Sequence, residues 1–545
     1  MKESKQTFVK GAFILIFANA IVKLIGALFK IPLHNTIGAV AMSYFTQAYN
    51  YYALFFMIST AGLPVAISRI IAASNVKGNR REVEKIYSVS LKLFFVIGLV
   101  GSILLALLSQ TIANAVAVPD LVVCILAISP TLFFICLTSA CRGYFQGLQN
   151  MVPTAVSQTI EAASKLIIGL GAGLWAKSQG YSDAMVASFV LMGITIGVVF
   201  SFLYVYIAKR CGQRQRECQC PDPELPIRSS KSILKELVSI AIPITISSSI
   251  MYLNSVIDSS VVIRRLMEVG HPKEVAQAMF GAYASMAVTM YNLPPNFVNP
   301  FAISLIPQIA SQLAQGAKEQ ARKAMNSTLR FASTIILPCA FGMGALSQQI
   351  LGLLYENEAI NLANGTQLWT VPLAGNLLKI LAPSILFVSI IYVTSAMLQA
   401  SGNEKLSIIS AALGVTTKLI SSYVLLGIPA VGIYGSPIST ALCYLVILIV
   451  NMYFLVKKTG YRPSLRKLFF KPLFAGIACG ASAILLYTAL DLFLPGKLAT
   501  LGAIAVAALV YLAVLLAIRG VEEEDVVLLP KGQAILRLLK KLRLL

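Results

Sequence analysis

Charge is scarce in this chain. Only 12% of its 545 residues are Asp, Glu, Lys or Arg, about half the roughly 25% of a soluble domain. A fold solvated by water on all sides is thereby excluded. Acidic residues are the rarer sign, 22 against 44 basic ones. Two histidines occur, His34 and His271; both read as outer-loop residues and offer no acid–base centre. No Gly-rich phosphate loop of Walker type is present, which excludes that class of ATPase. The nine cysteines lie mostly in apolar runs and show no disulfide pattern. Cys211, Cys218 and Cys220 share one basic loop, where free cytoplasmic thiols are favoured over zinc because both histidines lie elsewhere. With no catalytic constellation, the expectation is neither an enzyme nor a cofactor protein, and no metal site.

Apolar residues fill the gap. The chain is 57% hydrophobic with a mean hydropathy of +0.79. Its apolar runs are near the roughly 20 residues that cross a bilayer as a helix. They are continuous, unlike the alternating segments of about 10 residues in a membrane barrel. The sequence therefore predicts an all-α polytopic membrane protein with about fourteen transmembrane helices. These run near 10–31, 47–73, 88–113, 119–146, 153–177, 184–208, 237–264, 278–313, 327–354, 373–400, 406–427, 433–457, 470–494 and 498–519. The first has no cleavage site after it and reads as a helix that stays. The eighth contains Pro294, Pro295, Pro300 and Pro307. Such breaks are tolerated where freed backbone groups face protein or a wet cavity.

The net charge of +22 would suggest nucleic acid in a soluble protein. Here it reads as cytoplasmic-loop bias, and no nucleic-acid partner is expected. With the N-terminus inside, 32 of the 44 basic residues fall on the cytoplasmic side, Arg142 and Arg330 among them, and six outside. That split predicts both termini in the cytoplasm of a bacterial cytoplasmic membrane protein. The Pro-rich basic stretch 211–236 reads as the linker between an N-terminal lobe, 1–210, and a C-terminal lobe, 237–457. Two further helices occupy 458–519. The tail, 520–545, mixes Glu522–Asp525 with a basic amphipathic segment suited to an anionic inner leaflet.

The two lobes carry a repeat. Gln146, Asn150 and Lys165 recur at the same spacing as Gln399, Asn403 and Lys418. Pro64-Val-Ala-Ile-Ser68 matches Pro300-Phe-Ala-Ile-Ser304, and Leu91-Lys92-Leu93 matches Leu329-Arg330-Phe331. Matched landmarks in one order predict parallel repeats, the arrangement of a transporter with its site between halves.

Lys23, Lys165 and Lys418 lie near the middle of their spans. A basic side chain there costs about 2.5–3.5 kcal/mol against lipid, so each should face a wet cavity, an anion or a counter-charge. Lys165 has Glu161 one turn before it, and the two could neutralise each other. Lys30 shares a helix face with Lys23, while Arg69, Lys92 and Lys379 sit near span ends where they can snorkel. Asp258 is expected to pair with Arg264 or Arg265, or to bind a coupling cation. Deep charge that is mostly cationic suits an anionic passenger, such as phosphate or pyrophosphate on a lipid headgroup.

The whole chain resembles the polysaccharide-exporter branch of the MOP flippase superfamily, nearest to the stage V sporulation protein B-like and YtgP-like groups and related to MurJ-type lipid II flippases. The residues that carry this are Gln6-Thr-Phe-Val-Lys-Gly11, Gly62-Leu-Pro-Val-Ala-Ile-Ser68, Tyr291-Asn-Leu-Pro-Pro295, Ala302-Ile-Ser-Leu-Ile-Pro307 and Gln146-Gly147 with Lys165. The resemblance implies two six-helix lobes, alternating access, and a central cationic cavity for a pyrophosphate-sugar headgroup. It also implies a groove for the polyprenyl tail formed by the last two helices. Lys23 falls where MurJ-type proteins place a cavity arginine. Their arginine before the Leu-Pro of span eight is replaced here by Thr289-Met-Tyr-Asn292, and Tyr51 and Tyr52 occupy the early span-two region.

The expected substrate site is thus Lys23, Lys30, Arg69, Lys165 and Lys418, with Glu161 and Asp258 as ion or structural partners. The expected passenger is a polyprenyl-pyrophosphate-linked glycan, foremost the peptidoglycan precursor lipid II, with membrane lipids and cell-wall synthesis enzymes as other partners. Rival readings are export of another lipid-linked glycan, a MATE-type drug/cation antiporter, and a non-transporting scaffold.

Overall fold

In a bilayer every backbone N–H and C=O must be satisfied within the chain, and helices do this segment by segment. A computed structural model of the protein describes residues 2–217, 226–304, 306–362, 367–461, 463–518 and 520. Side chains are described across these stretches except at 2–25, 27, 28, 212–217, 243, 247, 251, 303, 304, 307, 308 and 465–468. The chain separates into two compact units, Met1–Met267 with Pro272–Gly281, and Glu268–His271 with Ala282–Leu545.

The first unit runs through α1 (Lys2–Thr60), α2 (Leu63–Val76), α3 (Arg80–Val116), α4 (Leu121–Gly147) and α5 (Val152–Ser164). A π-helical segment, Lys165–Gly169, leads on to α6 (Leu170–Ser178), followed by α7 (Asp183–Glu217), α8 (Ser230–Glu268) and α9 (Lys273–Gly281). The first expected span and the start of the second thus fall in α1, which is two helices meeting at a kink at Gly38. Its φ of 87° is a conformation that glycine adopts without a Cβ clash. The chain breaks again before α2, whose Pro64 stands in the first turn, where a missing N–H is harmless. Gly62 is required at that break, since a Cβ there would lie 2.1 Å from the Ala241 carbonyl oxygen of α8. The core joins Ile67 and Ile71 of α2 to Phe94 of α3, Tyr144 of α4 and Leu237 of α8.

At the loop end of α3, the Asn79 side chain accepts a hydrogen bond from the Glu82 N–H at 3.0 Å and caps the helix. Arg228 donates to Glu82, and to Glu236 at 2.6 Å. At the opposite end, Lys273 of α9 donates to Asp120 at 2.6 Å. That ammonium holds the Asp120 carboxyl below the usual carboxylate range.

The second unit opens with a π-helical segment, Ala282–Ala287, and α10 (Val288–Ser304). There follow α11 (Ile306–Ala314), α12 (Lys318–Ala345), α13 (Ser347–Leu354), a small hairpin of β1 (Ala359–Asn361) and β2 (Gln367–Trp369), and α14 (Thr370–Ala400). The unit ends with α15 (Glu404–Leu426), α16 (Gly435–Thr459), α17 (Leu465–Leu490) and α18 (Gly496–Ala517). The strands are antiparallel with Ile360 opposite Leu368. α14 forms the unit's interior. α17 and α18 pack through Ala475, Ala483, Ala503 and Ala507, small residues that bring helices close where water supplies no driving force.

The all-helical class is as expected from sequence. Among the described residues, 11 helices are long and apolar enough to span a membrane. The expected spans that fall outside those 11 are the first, the fifth and the eighth. Side chains of the first lie largely outside the described residues. The fifth and eighth are each interrupted by a π-helical segment, so neither forms a single uninterrupted α-helix. Such segments recur where function needs a local change of helical register. The tail helix expected within 520–545, together with Cys218 and Cys220, falls outside the described residues apart from Gly520.

Candidate functional site: a buried cation cluster in the first unit

α4 ends in a Schellman turn. The Asn150 N–H bonds to the Phe145 carbonyl at 3.0 Å and the Gln149 N–H to the Gln146 carbonyl at 2.9 Å. This turn sends α5 back along α4. It brings Arg142, less than two turns from the end of α4, against the first turns of α5. The Arg142 guanidinium donates to Ser157 Oγ at 2.8 Å and to Glu161 Oε2 at 3.1 Å, both on α5, and to Ser201 Oγ of α7 at 3.0 Å. Glu161 Oε1 accepts from Lys165 Nζ at 3.1 Å. The Lys165 ammonium also stands 6.0 Å from the centroid of the Tyr49 ring of α1, within reach of a weak cation–π attraction.

One carboxylate therefore serves two cations. Relative exposures of 12% for Arg142, 17% for Glu161 and 22% for Lys165 make all three half-buried. Their partners come from α1, α4, α5 and α7, so the cluster faces the bundle and not its outer surface. Its formal charge is +1. A buried ion pair usually persists only when its remaining donors find hydrogen-bond partners. Ser157 and Ser201 supply these for Arg142, and Ser201 itself donates to the Ser157 carbonyl at 3.0 Å. Lys165 opens the π-helical segment Lys165–Gly169, so its backbone sits where the helical register changes.

Lys418, the repeat partner of Lys165, lies in α15 and is 2% exposed. The same Schellman turn precedes it. The Asn403 N–H bonds to the Leu398 carbonyl at 2.9 Å and the Gly402 N–H to the Gln399 carbonyl at 3.0 Å. At the register of Arg142 this copy has Ser395, and at that of Glu161 it has Gly414. Ser395 accepts hydrogen bonds from Ser407 of α15 at 2.9 Å and from Asn451 of α16 at 3.0 Å. Both copies thus fasten three helices through one polar position.

The other expected site residues are dispersed. Arg69 is exposed on α2, Lys30 is half-buried in α1, and Asp258 is 9% exposed in α8. The Lys23 side chain lies outside the described residues. Two cations sorted above to the cytoplasmic side lie within helices and have little exposure. They are Arg142 and Arg330, the latter 8% exposed in α12. Charge counting placed them at loops because each is near a helix end in sequence. Arg142 carried no usable signal, because its partners come from two other helices, α5 and α7. Arg330 carried none either, since its repeat match, Lys92, is exposed. Among the described residues no group of His, Cys, Asp and Glu is arranged to hold a metal ion.

Eleven helices among the described residues that are long and apolar enough to span a membrane, together with an interior cation cluster, define a polytopic membrane protein. The model of the polysaccharide biosynthesis protein family matches residues 8–313, more than half of the chain, and the chain belongs to that family. A second model, MatE, matches residues 243–424. The protein named lipid II flippase MurJ of Bacillus subtilis (strain 168) is 26% identical over 473 residues, 83% of each chain. Stage V sporulation protein B of the same organism is 25% identical over 438 residues, 80% of this chain and 81% of that one. A solved structure of a lipid II flippase MurJ in an inward closed conformation shares the fold, with a TM-score of 0.64 at 15% identity. It covers 92% of this chain and 98% of the solved one. The protein is thus a multi-pass membrane protein of the polysaccharide biosynthesis protein family, with the fold of that solved flippase.

Proposed function

We propose that the protein flips a polyprenyl-pyrophosphate-linked saccharide, foremost the peptidoglycan precursor lipid II, across the bacterial cytoplasmic membrane by alternating access. The observation that carries this is the interior cluster of Arg142, Glu161 and Lys165, whose formal charge is +1, together with the buried Lys418. A pyrophosphate offers dense negative charge to such ammonium groups, which act as point-charge partners. In this proposal Lys23, Lys30 and Arg69 extend the path for the headgroup. Asp258 is a structural or ion-binding partner, and 458–519 carries the lipid tail. The lobes 1–210 and 237–457 would rock about the linker 211–236, with both termini and the tail 520–545 in the cytoplasm. The identities with the flippase and with the sporulation protein support a lipid-linked passenger.

The test is flipping of fluorescent lipid II in proteoliposomes. The Lys165→Gln, Lys418→Gln double variant is expected to lose at least tenfold in rate at matched incorporation. An unchanged rate removes the cations from the mechanism. The sporulation relative favours a second reading, in which another lipid-linked glycan is carried. Failure to rescue cells depleted of their lipid II flippase, with retained transport of a different polyprenyl-linked sugar, would select it. The MatE match raises drug/cation antiport as a third. Interior cations disfavour cationic drugs, and drug-efflux measurements are expected to show none.

A further inference from the structure

The first-unit cluster contains a carboxylate that an anion-binding site does not need. Glu161 satisfies part of the charge that the proposed function assigns to the passenger. The hydrogen bonds around it are unequal. Arg142 is anchored three ways, to Ser157, Ser201 and Glu161. The Lys165 ammonium contacts Glu161 and the Tyr49 ring. Lys165 is also the more exposed of the two cations, 22% against 12%. It opens a π-helical segment, where a return to α-helical register would re-aim its side chain. Arg142 sits in the regular interior of α4. The second copy keeps the lysine but has glycine at the carboxylate position, so Glu161 belongs to one copy alone.

We propose that Glu161 is a built-in counter-anion that holds Lys165 between passengers and yields it to the incoming pyrophosphate while remaining bound to Arg142. This rests on the reading that the site takes a pyrophosphate headgroup. No bond is made or broken in the exchange: Lys165 trades one oxygen anion for another. The trade favours pyrophosphate on binding because it carries more negative charge than a carboxylate. It also lets the headgroup leave, because Glu161 stands ready to reclaim the lysine. Glu161 therefore weakens binding and speeds release. Lys165 never faces the interior without a partner, which would leave a buried charge uncompensated.

The experiment measures binding of inorganic pyrophosphate to the full-length protein in detergent, and lipid II flipping in proteoliposomes. It uses the wild type, Glu161→Gln and Lys165→Gln. The expected result is pyrophosphate binding about tenfold tighter in E161Q and at least tenfold weaker in K165Q, with E161Q flipping more slowly than wild type. Wild type that neither binds pyrophosphate nor flips lipid II overturns the functional reading and this inference together. Wild type that does both, with E161Q binding no tighter, overturns the counter-anion alone. E161Q that fails to fold leaves a direct readout on wild type, the infrared carboxylate bands that change when pyrophosphate is added. A band that moves in wild type and shifts in Glu161→Asp supports the exchange, and no carboxylate change on binding overturns it.

Discussion

The two copies of the repeated unit end the same way and are filled differently. Both turn on a Schellman motif, after Gln146 and after Gln399, and both set a lysine at the same spacing beyond the turn, Asn150 to Lys165 and Asn403 to Lys418. In the first, Arg142 and Glu161 join Lys165 in an interior cluster held by two serines. In the second, Ser395 and Gly414 stand at those registers and Lys418 is 2% exposed. The difference teaches that the repeat preserves a backbone and one cation, while each copy settles its electrostatics by itself. A glycine at 414 lets α15 and α16 close together, since a Cβ there would lie 2.3 Å from Ile447. The first copy spends that space on a carboxylate.

Exchanging residues between copies sharpens this contrast. Gly414→Glu carries the largest expected effect. The site has no room for it, and a buried unplanned charge adds to the overpacking, so a loss of about 3–5 kcal/mol is expected. Thermal unfolding in detergent should show the variant melting far below wild type or failing to accumulate; a melting point within a few degrees would mean the copies are interchangeable. Arg142→Ser, which installs the second copy's residue, comes next. It leaves Glu161 with Lys165 alone and strips Ser157 and Ser201 of their donor. About 2–4 kcal/mol should be lost, and Glu161→Gly should cost less on top of it than on the wild type if the pair forms one network. The smallest effect is a gain. Gln149 holds a φ of 59° where the second copy has Gly402 at 72°. Gln149→Gly should stabilise by about 0.5–1 kcal/mol, read as a melting point raised by a degree or more.

Much of the fold was legible in the sequence because a bilayer imposes one rule on every residue. Apolar runs had to be helices, and the repeat's spacing reappears as the same turn at 146–150 and 399–403. The π-helical segments 165–169 and 282–287 were not legible. A register change of one residue leaves hydropathy untouched, and only the neighbouring helices decide where it falls.

The sequence by itself determined the helical class, the repeat and the presence of lysines within apolar runs, since each follows from local composition and spacing. Only the tertiary structure decided that Arg142 is an interior cation and that one carboxylate answers for two positive charges. Those facts depend on contacts between residues 15 to 59 positions apart. No local pattern encodes them, because a charge near the end of an apolar run looks the same whether it reaches water or a serine on another helix.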